Sequence, residues 1–173
     1  TGVQTCALPI SLCDEFMRGA MESGNEVEKI FLRDKIINYC TGCSTCSRYN
    51  KPCPQKDDTA EILEKMIRAD VIVMATPVYF YTMSAQMKTL IDRCCGRYTE
   101  MGNKEFYFIA TAAEGDRKLM ERTIDTFQGF LDCLENPVIK GVVYGAGVWH
   151  TGEINDKPAM REAYEMGRHC LES

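Results

Sequence analysis

The 173-residue sequence has no apolar run close to the roughly 20 residues that a membrane-spanning helix needs. Basic charge is not in excess either, because 20 Lys and Arg stand against 25 Asp and Glu, for a net charge of −5. The basic residues are scattered along the chain, so the electrostatic footprint of a protein that binds nucleic acid or anionic lipid is missing. We therefore expect neither nucleic acid nor a membrane among its partners.

Histidine is scarce, with two residues, whereas cysteine is abundant, with ten. A chain of this length can bury a sizeable core and does not need a disulfide framework. Its start also lacks the charged segment, apolar segment and small-residue cleavage site of a secretory signal. We expect a cytoplasmic protein in which the cysteines are free thiols or ligands.

The first ten residues, TGVQTCALPI, show no hydrophobic period and look like the translation of a sequencing-library adaptor. We expect residues 1–10 to be non-native, so that Cys6 has no role and nine cysteines remain. Residues 11–173, with ordinary hydrophobic and charged fractions of 45% and 26% for the whole chain, are expected to form one domain.

Helical and strand patterns alternate along this domain. Strands are predicted over residues 26–32, 70–77, 105–111 and 138–145, with helices before, between and after them. The continuous apolar run at 70–77 is typical of a strand buried on both faces. Asp58 and Glu61 have the spacing of a capping box, and Asp116 is predicted to cap a later helix.

This alternation predicts an α/β fold, a parallel sheet with helices on both faces. A chain that opens on a helix is expected to have lost the strand before it. With that strand restored, five strands and five helices give the flavodoxin-like doubly wound sheet of order 2-1-3-4-5, whose first strand is central. We therefore expect a central strand that is missing or replaced.

In such sheets ligands bind outside the carboxyl ends of the strands. One loop there, residues 76–82, combines Pro77 with three aromatics, and its N–H groups can hydrogen-bond a planar heterocycle that an aromatic ring covers. The alternative is that Tyr79, Phe80 and Tyr81 only cover the end of the sheet. Residues 111–116 form a second loop, in which Gly115 permits close approach to a ligand or merely completes a turn.

The four cysteines of CTGCSTCSRYNKPC, residues 40–53, are spaced C-x2-C-x2-C-x6-C. Compact x2 spacing lets one loop wrap an iron–sulfur cubane, as in bacterial ferredoxins, and Pro54 follows the last cysteine in the same way. Zinc sites more often pair two separated cysteine pairs. The remaining alternative is four free thiols packed as small hydrophobes.

The segment TPVYFYTMSAQMKTLIDR, residues 76–93, resembles the signature of the NADPH-dependent FMN reductase family, and the resemblance extends from about Ser11 to the last helix. It implies an FMN-dependent oxidoreductase that uses NAD(P)H, with no catalytic acid or base from the protein, and assembles as a homodimer or homotetramer. The residues that resemble the isoalloxazine contacts are Thr76, Pro77, Val78, Tyr79, Phe80, Thr111, Ala112, Ala113 and Gly115.

Within this family the cysteine segment resembles that of the iron–sulfur flavoproteins. The resemblance implies a [4Fe–4S] cluster beside FMN, with Cys40, Cys43, Cys46 and Cys53 as its ligands. The protein would then carry electrons for a small-molecule donor or acceptor or for a ferredoxin-like partner. Two alternatives stay open: a reductase whose cysteine loop holds no cluster, and a non-catalytic scaffold with structural zinc.

The sequence departs from the family in one respect. Family members begin with a strand and a Gly-Ser-Pro-Arg…Gly-Asn-Thr loop whose N–H groups bind the FMN phosphate, and this sequence contains no such segment. We therefore expect the chain as written to bind FMN weakly and to have low stability.

Overall fold

The computed structural model describes residues 8–171, with the backbone alone for Leu8. Helix α1 already begins at Leu8, and the rest of the predicted non-native segment lies outside the described residues. No described helix is long and apolar enough to cross a membrane. The α-helices are α1 (Leu8–Glu22), α2 (Thr45–Tyr49), α3 (Thr59–Arg68), α4 (Ala85–Arg93), α5 (Arg117–Leu131) and α6 (Pro158–Arg168).

Three strands form one parallel sheet in the order β1-β2-β3. They are β1 (Val71–Pro77), β2 (Glu105–Thr111) and β3 (Val138–Gly145), which confirms three of the four predicted strands. Pro77 lies opposite Thr111, and Thr111 lies opposite Gly145, so the three carboxyl ends are level. The observed strands β1, β2 and β3 correspond to the third, fourth and fifth strands of the predicted order 2-1-3-4-5.

The predicted strand over residues 26–32 is wrong. The structure gives these residues no ladder and places a short 3-10 helix at Leu32–Asp34. Its apolar residues still pack inward, Val27 against one face of the sheet and Ile30 and Leu32 against the other. A strand needs a neighbouring strand to pair its backbone N–H and C=O groups, and the predicted neighbour is absent from the described sheet. The apolar pattern of residues 26–32 is therefore not enough to form a strand.

The expectation that 70–77 is buried on both faces is also wrong. In β1 the residues alternate between buried and half-buried, because β1 is an edge of the described sheet. The strand buried on both faces is β2, in which every residue from Phe106 to Thr111 is buried. Its neighbours on both sides and helices on both faces exclude water from it.

The two faces of the sheet carry separate cores. On one face, Phe106 and Phe108 of β2 pack with helices α3, α4 and α5, and the rings of Phe108 and Phe127 stack at 4.7 Å. On the other face, Tyr107 and Ile109 of β2 pack with α1 and α6. The doubly wound arrangement is therefore confirmed for the described residues, and Met83 and Met87 belong to the first core.

Helices α1 and α6 touch each other through two glycines. A Cβ added to Gly167 would lie 1.9 Å from the carbonyl oxygen of Phe16, and one added to Gly19 would lie 2.2 Å from that of Tyr164. Both obstacles are backbone atoms, which cannot rotate away. The close approach of the two helices therefore depends on the absence of side chains at these positions.

We predict that Gly167→Ala destabilises the protein by about 1–3 kcal/mol, because the methyl group forces the helices apart. Gly129→Ala is the matched control, since Gly129 lies within α5 with no atom near its missing Cβ and should gain about 0.5–1 kcal/mol. Urea unfolding of both variants measures the difference. Equal stability of the two alanine variants would contradict the packing described.

Candidate functional site

The level carboxyl ends of the three strands bring three loops together. The N–H of Val78 donates to the carbonyl of Thr111 at 2.8 Å, and the N–H of Ala112 donates to Gly145 at 3.0 Å. Beneath them a small apolar cluster joins Val78, Ala110 and Ala112 to α5. The loops after β1, β2 and β3 thus form one surface at the edge where ligands bind in sheets of this kind.

Residues 79–82 form a tight aromatic turn at this edge. Tyr79 and Thr82 exchange backbone hydrogen bonds of 2.9 and 3.0 Å, and the two central residues, Phe80 and Tyr81, have φ of 50° and 61°. Non-glycine residues pay about 1 kcal/mol or more for this left-handed conformation. Phe80 is also fully exposed. Two strained aromatics that cover no core argue against the alternative that they merely cap the sheet.

Thr76 lies differently from its neighbours in the predicted flavin set. Its side chain is fully buried, and its hydroxyl oxygen accepts a 2.9 Å hydrogen bond from the N–H of Ser84. Ser84 in turn caps α4 by accepting from the N–H of Met87. Thr76 therefore fixes the start of α4 relative to β1, while Pro77, Val78, Tyr79 and Phe80 lie nearer the surface.

The second loop presents unused hydrogen-bond donors. Within the described chain the N–H groups of Ala113, Glu114 and Gly115 make no hydrogen bond, and Gly115 faces open space. Ala112, by contrast, is buried and bonded through both its N–H and its carbonyl. Among the described residues the Thr111 hydroxyl is buried without a partner. These donors and this orphan group would suit the polar edge of a planar heterocycle.

Two arginines at the start of α5 were not anticipated from the sequence. The Arg117 guanidinium lies 4.2 Å from the ring centre of Tyr144, and that of Arg122 lies 5.6 Å from the ring centre of Tyr81. Such contacts are cation–π interactions. Arg122 places positive charge beside the aromatic turn, and Arg117 places it beside Tyr144 near the end of β3. The only sequence signal was their position in the helix that follows the second loop.

The four motif cysteines share one exposed segment, which we call the cysteine loop (residues 38–57). Cys40 and Cys43 are exposed, Cys46 and Cys53 are half-buried, and all four are free thiols. The hydroxyl and N–H of Thr45 hold the pKa of Cys43 below its ordinary value. In residues 8–171 no three cysteine, histidine or carboxylate side chains are arranged to hold a metal ion.

A buried ion pair joins the two ends of the cysteine loop, residues 38 and 57, which we call its neck. The guanidinium of Arg93 donates to both carboxylate oxygens of Asp57, at 2.6 and 3.2 Å, and the two side chains are only 3% and 1% exposed. Arg93 also donates to the carbonyl of Asn38 at 2.7 Å. Asp58, predicted as the cap of α3, instead accepts from the N–H of Ile36 at 2.7 Å, so the capping box is wrong.

The ionised form of Asp57 is strongly favoured. Burial is the largest influence and opposes ionisation, but hydrogen bonds from Arg93 and from the N–H groups of Asn38 and Thr59 outweigh it. The pKa of Asp57 therefore lies well below its ordinary value. Its charge is present at any pH at which the protein would work.

Cys95 is a further cysteine that the fold brings to this region. It follows α4 in a 3-10 helix, Cys94–Gly96, where a Cβ on Gly96 would lie 2.9 Å from the Cβ of Cys46. Burial, followed by the neighbouring Cys46 and Cys40, raises the pKa of Cys95. The motif spacing did not reveal Cys95, since about fifty residues separate it from Cys46 in sequence.

Comparison with known proteins decides the family. The model of the family described as NADPH-dependent FMN reductase matches residues 11–151. The chain belongs to this family. An iron–sulfur flavoprotein of Archaeoglobus fulgidus is 46% identical over 166 residues, which cover 86% of this chain and 80% of that protein. One of Methanosarcina thermophila is 31% identical over 149 residues, covering 85% and 74%.

These matches confirm the resemblance to the family and to its iron–sulfur flavoprotein subgroup. Two further matches, to iron–sulfur flavoproteins of Archaeoglobus fulgidus and Methanocaldococcus jannaschii, span only 37% and 42% of those proteins. Among solved structures, an NAD(P)H:quinone oxidoreductase from Methanothermobacter marburgensis superimposes with a TM-score of 0.73 at 16% identity. That match covers 96% of this chain and 90% of the other, and it confirms the flavodoxin-like fold.

We predict that Asp57→Asn destabilises the protein by about 3–5 kcal/mol near neutral pH, because it leaves the Arg93 charge buried without its counter-ion. The folded pKa is depressed, so the stabilisation is fully present above the ordinary pKa of 3.8 and is lost as the pH falls through the folded value. Urea unfolding across this range should show the difference between the two proteins shrinking with falling pH. A difference that stays constant would contradict the ion pair's role.

Proposed function

We propose that the protein is an FMN-dependent oxidoreductase that passes electrons from a reduced nicotinamide through bound FMN to an acceptor. The observation that supports this most strongly is the edge formed by the strained aromatic turn and the free N–H groups of residues 113–115. A planar heterocycle with polar atoms along one side is the ligand that such an edge suits. Family membership supports the same choice of cofactor.

Each part of the site has a distinct role in this proposal. The N–H groups of Ala113 and Gly115 would donate to the polar edge of the isoalloxazine, and the backbone of Pro77 and Val78 would border it. Phe80 and Tyr79 would cover the ring and exclude water from one face. Thr76, Thr111 and Ala112, all buried, would hold these loops in register from beneath.

The chemistry supplied by bound FMN is acceptance of a hydride at its N5 atom and release of electrons one or two at a time. The protein therefore needs to bind, orient and shield, and we assign no catalytic acid or base. Arg117 and Arg122 lie where positive charge would attract the phosphate groups of a nicotinamide nucleotide.

The second proposal is a [4Fe–4S] cluster on Cys40, Cys43, Cys46 and Cys53, which would make the protein an electron carrier for a ferredoxin-like partner. The donor set suits the cluster, because four free thiols lie on one loop and a buried arginine contacts one of them. The thiols of the described loop do not converge on a common point, so binding would require the loop to close around the cluster.

The free thiols and the exposed Phe80 also support proposals about the cellular compartment and the oligomeric state. The four cysteines of the cysteine loop and Cys95 are free thiols, which supports a reducing compartment such as the cytoplasm. A fully exposed Phe80 beside the flavin edge supports a homodimer or homotetramer in which a second copy helps to cover the cofactor.

The aromatic turn offers a test of FMN binding that separates function from stability. Replacing Phe80 by Asn and Tyr81 by Gly supplies the residues that this turn conformation favours, so we expect a gain of about 1–2 kcal/mol in stability. FMN affinity should fall about tenfold or more, because the covering ring is lost. Flavin fluorescence quenching measures the affinity, and urea unfolding measures the stability.

Asn136→Gly is the control for this turn, because Asn136 has a φ of 45° but lies just before β3, at the opposite end of the sheet. It should leave FMN affinity unchanged. Unaltered affinity in the Phe80→Asn/Tyr81→Gly variant would contradict the assignment of the flavin edge.

For the cluster, we expect anaerobic reconstitution with ferrous iron and sulfide to give four irons per chain and a brown shoulder that dithionite bleaches. Cys46→Ser and Cys53→Ser should each lose most of this iron, while Cys133→Ser, an exposed cysteine outside the loop, should retain it. Stoichiometric zinc without colour would favour the scaffold, and a yellow protein without iron would leave the simple reductase.

A further inference from the structure

We propose that Arg93 is a positioning residue for the cysteine loop: with Asp57 it closes the loop's neck and fixes Cys53 in place for ligand binding. The proposal rests on the proposed function in that the ligand it serves is the metal group of the four cysteines. Arg93 is not part of the C-x2-C-x2-C-x6-C motif and lies 40 residues beyond its last cysteine. Only the folded structure shows that Arg93 contacts the cysteine loop.

The first observation concerns both ends of the loop. Arg93 donates to the carbonyl of Asn38 at 2.7 Å, and Asp57 accepts from the N–H and the side-chain amide of Asn38 at 3.0 and 3.1 Å. One buried ion pair thus binds residue 38 to residue 57. A further bond, from the Gln55 amide to the carbonyl of Tyr39 at 3.1 Å, continues the closure toward the cysteines.

The second observation is the contact with a candidate ligand. The other terminal nitrogen of Arg93, Nη2, lies 3.5 Å from Sγ of Cys53. A guanidinium is planar and permanently charged, so one nitrogen can bind backbone and carboxylate while the other reaches the sulfur. Lysine has a single ammonium group and cannot hold these partners in the same geometry. The positive charge of Arg93 would also offset the negative charge that accumulates when several thiolates bind one metal group.

The third observation links the loop to the flavin edge. Arg93 is the last residue of α4, whose first turn Ser84 caps while bonded to Thr76 at the end of β1. A helix of nine residues therefore connects the aromatic turn to the neck of the cysteine loop. The position of Cys53 relative to the flavin edge is set through this helix, which is what electron transfer between two cofactors would require.

The test compares Arg93→Lys with the double variant Arg93→Met/Asp57→Leu, which replaces the ion pair by apolar groups and so leaves no buried charge without its counter-ion. Arg97→Lys is the matched control, because Arg97 pairs with Glu64 and Glu100 nearer the surface of the same region. Hydrogen exchange of backbone amides in the loop is measured on each protein before reconstitution, and iron content is measured after it.

We expect amides 39–53 to exchange at least about tenfold faster in Arg93→Lys and in the double variant, with α5 unaffected. Iron content should fall by at least about half in both, and Arg97→Lys should match the unaltered protein in both measurements. Unchanged loop exchange, equal acceleration throughout α5, or full iron content despite faster exchange would each overturn the proposal. If the unaltered protein itself takes up no iron, the cluster proposal fails and loop exchange alone decides the role of Arg93.

Discussion

The structure depends on the burial of β2 from Phe106 to Thr111. Parallel pairing on both sides satisfies its backbone, and its side chains supply both cores, Phe106 and Phe108 to one face and Tyr107 and Ile109 to the other. Because the neighbouring strands are in register with it, their carboxyl ends stop at the same level. The candidate flavin edge is therefore a direct consequence of how this one strand is paired.

Rigid support and local strain are divided between different parts of the site. Buried groups such as Thr76 and Ser84 fix the start of α4, while the exposed turn at Phe80 and Tyr81 carries unfavourable backbone conformations. Strain of this kind persists only where the surrounding structure determines it, and it is concentrated at functional sites. The strained turn is therefore the place where folding stability and the proposed function make different demands, whereas the buried ion pair at Arg93 serves both.

The sequence predicted the alternation of elements, three strands and the cap at Asp116, because these depend on local pattern and turn chemistry. Prediction from the sequence failed where strand pairing or contacts with residues distant in sequence determine the local structure. Residues 26–32 have the composition of a strand but no neighbour, and β1 proved to be an edge of the described sheet. The Asp58 carboxylate accepts a hydrogen bond from the N–H of Ile36 instead of capping α3. Arg93 and Cys95 contact the cysteine loop from positions about forty to fifty residues further along the chain, and no local motif encodes such contacts.

The most direct test of the proposed function is the visible spectrum of the protein titrated with FMN without oxygen and then mixed with NADPH. Saturable shifts of the flavin bands, at the weak affinity expected for this chain, and bleaching of these bands by the nicotinamide are the predicted result. A brown shoulder beneath them after iron and sulfide reconstitution would add the cluster to the electron path. A protein that gives no saturable change in the flavin bands, or whose bound flavin stays oxidised with both NADPH and NADH, would contradict the assignment as an FMN-dependent oxidoreductase.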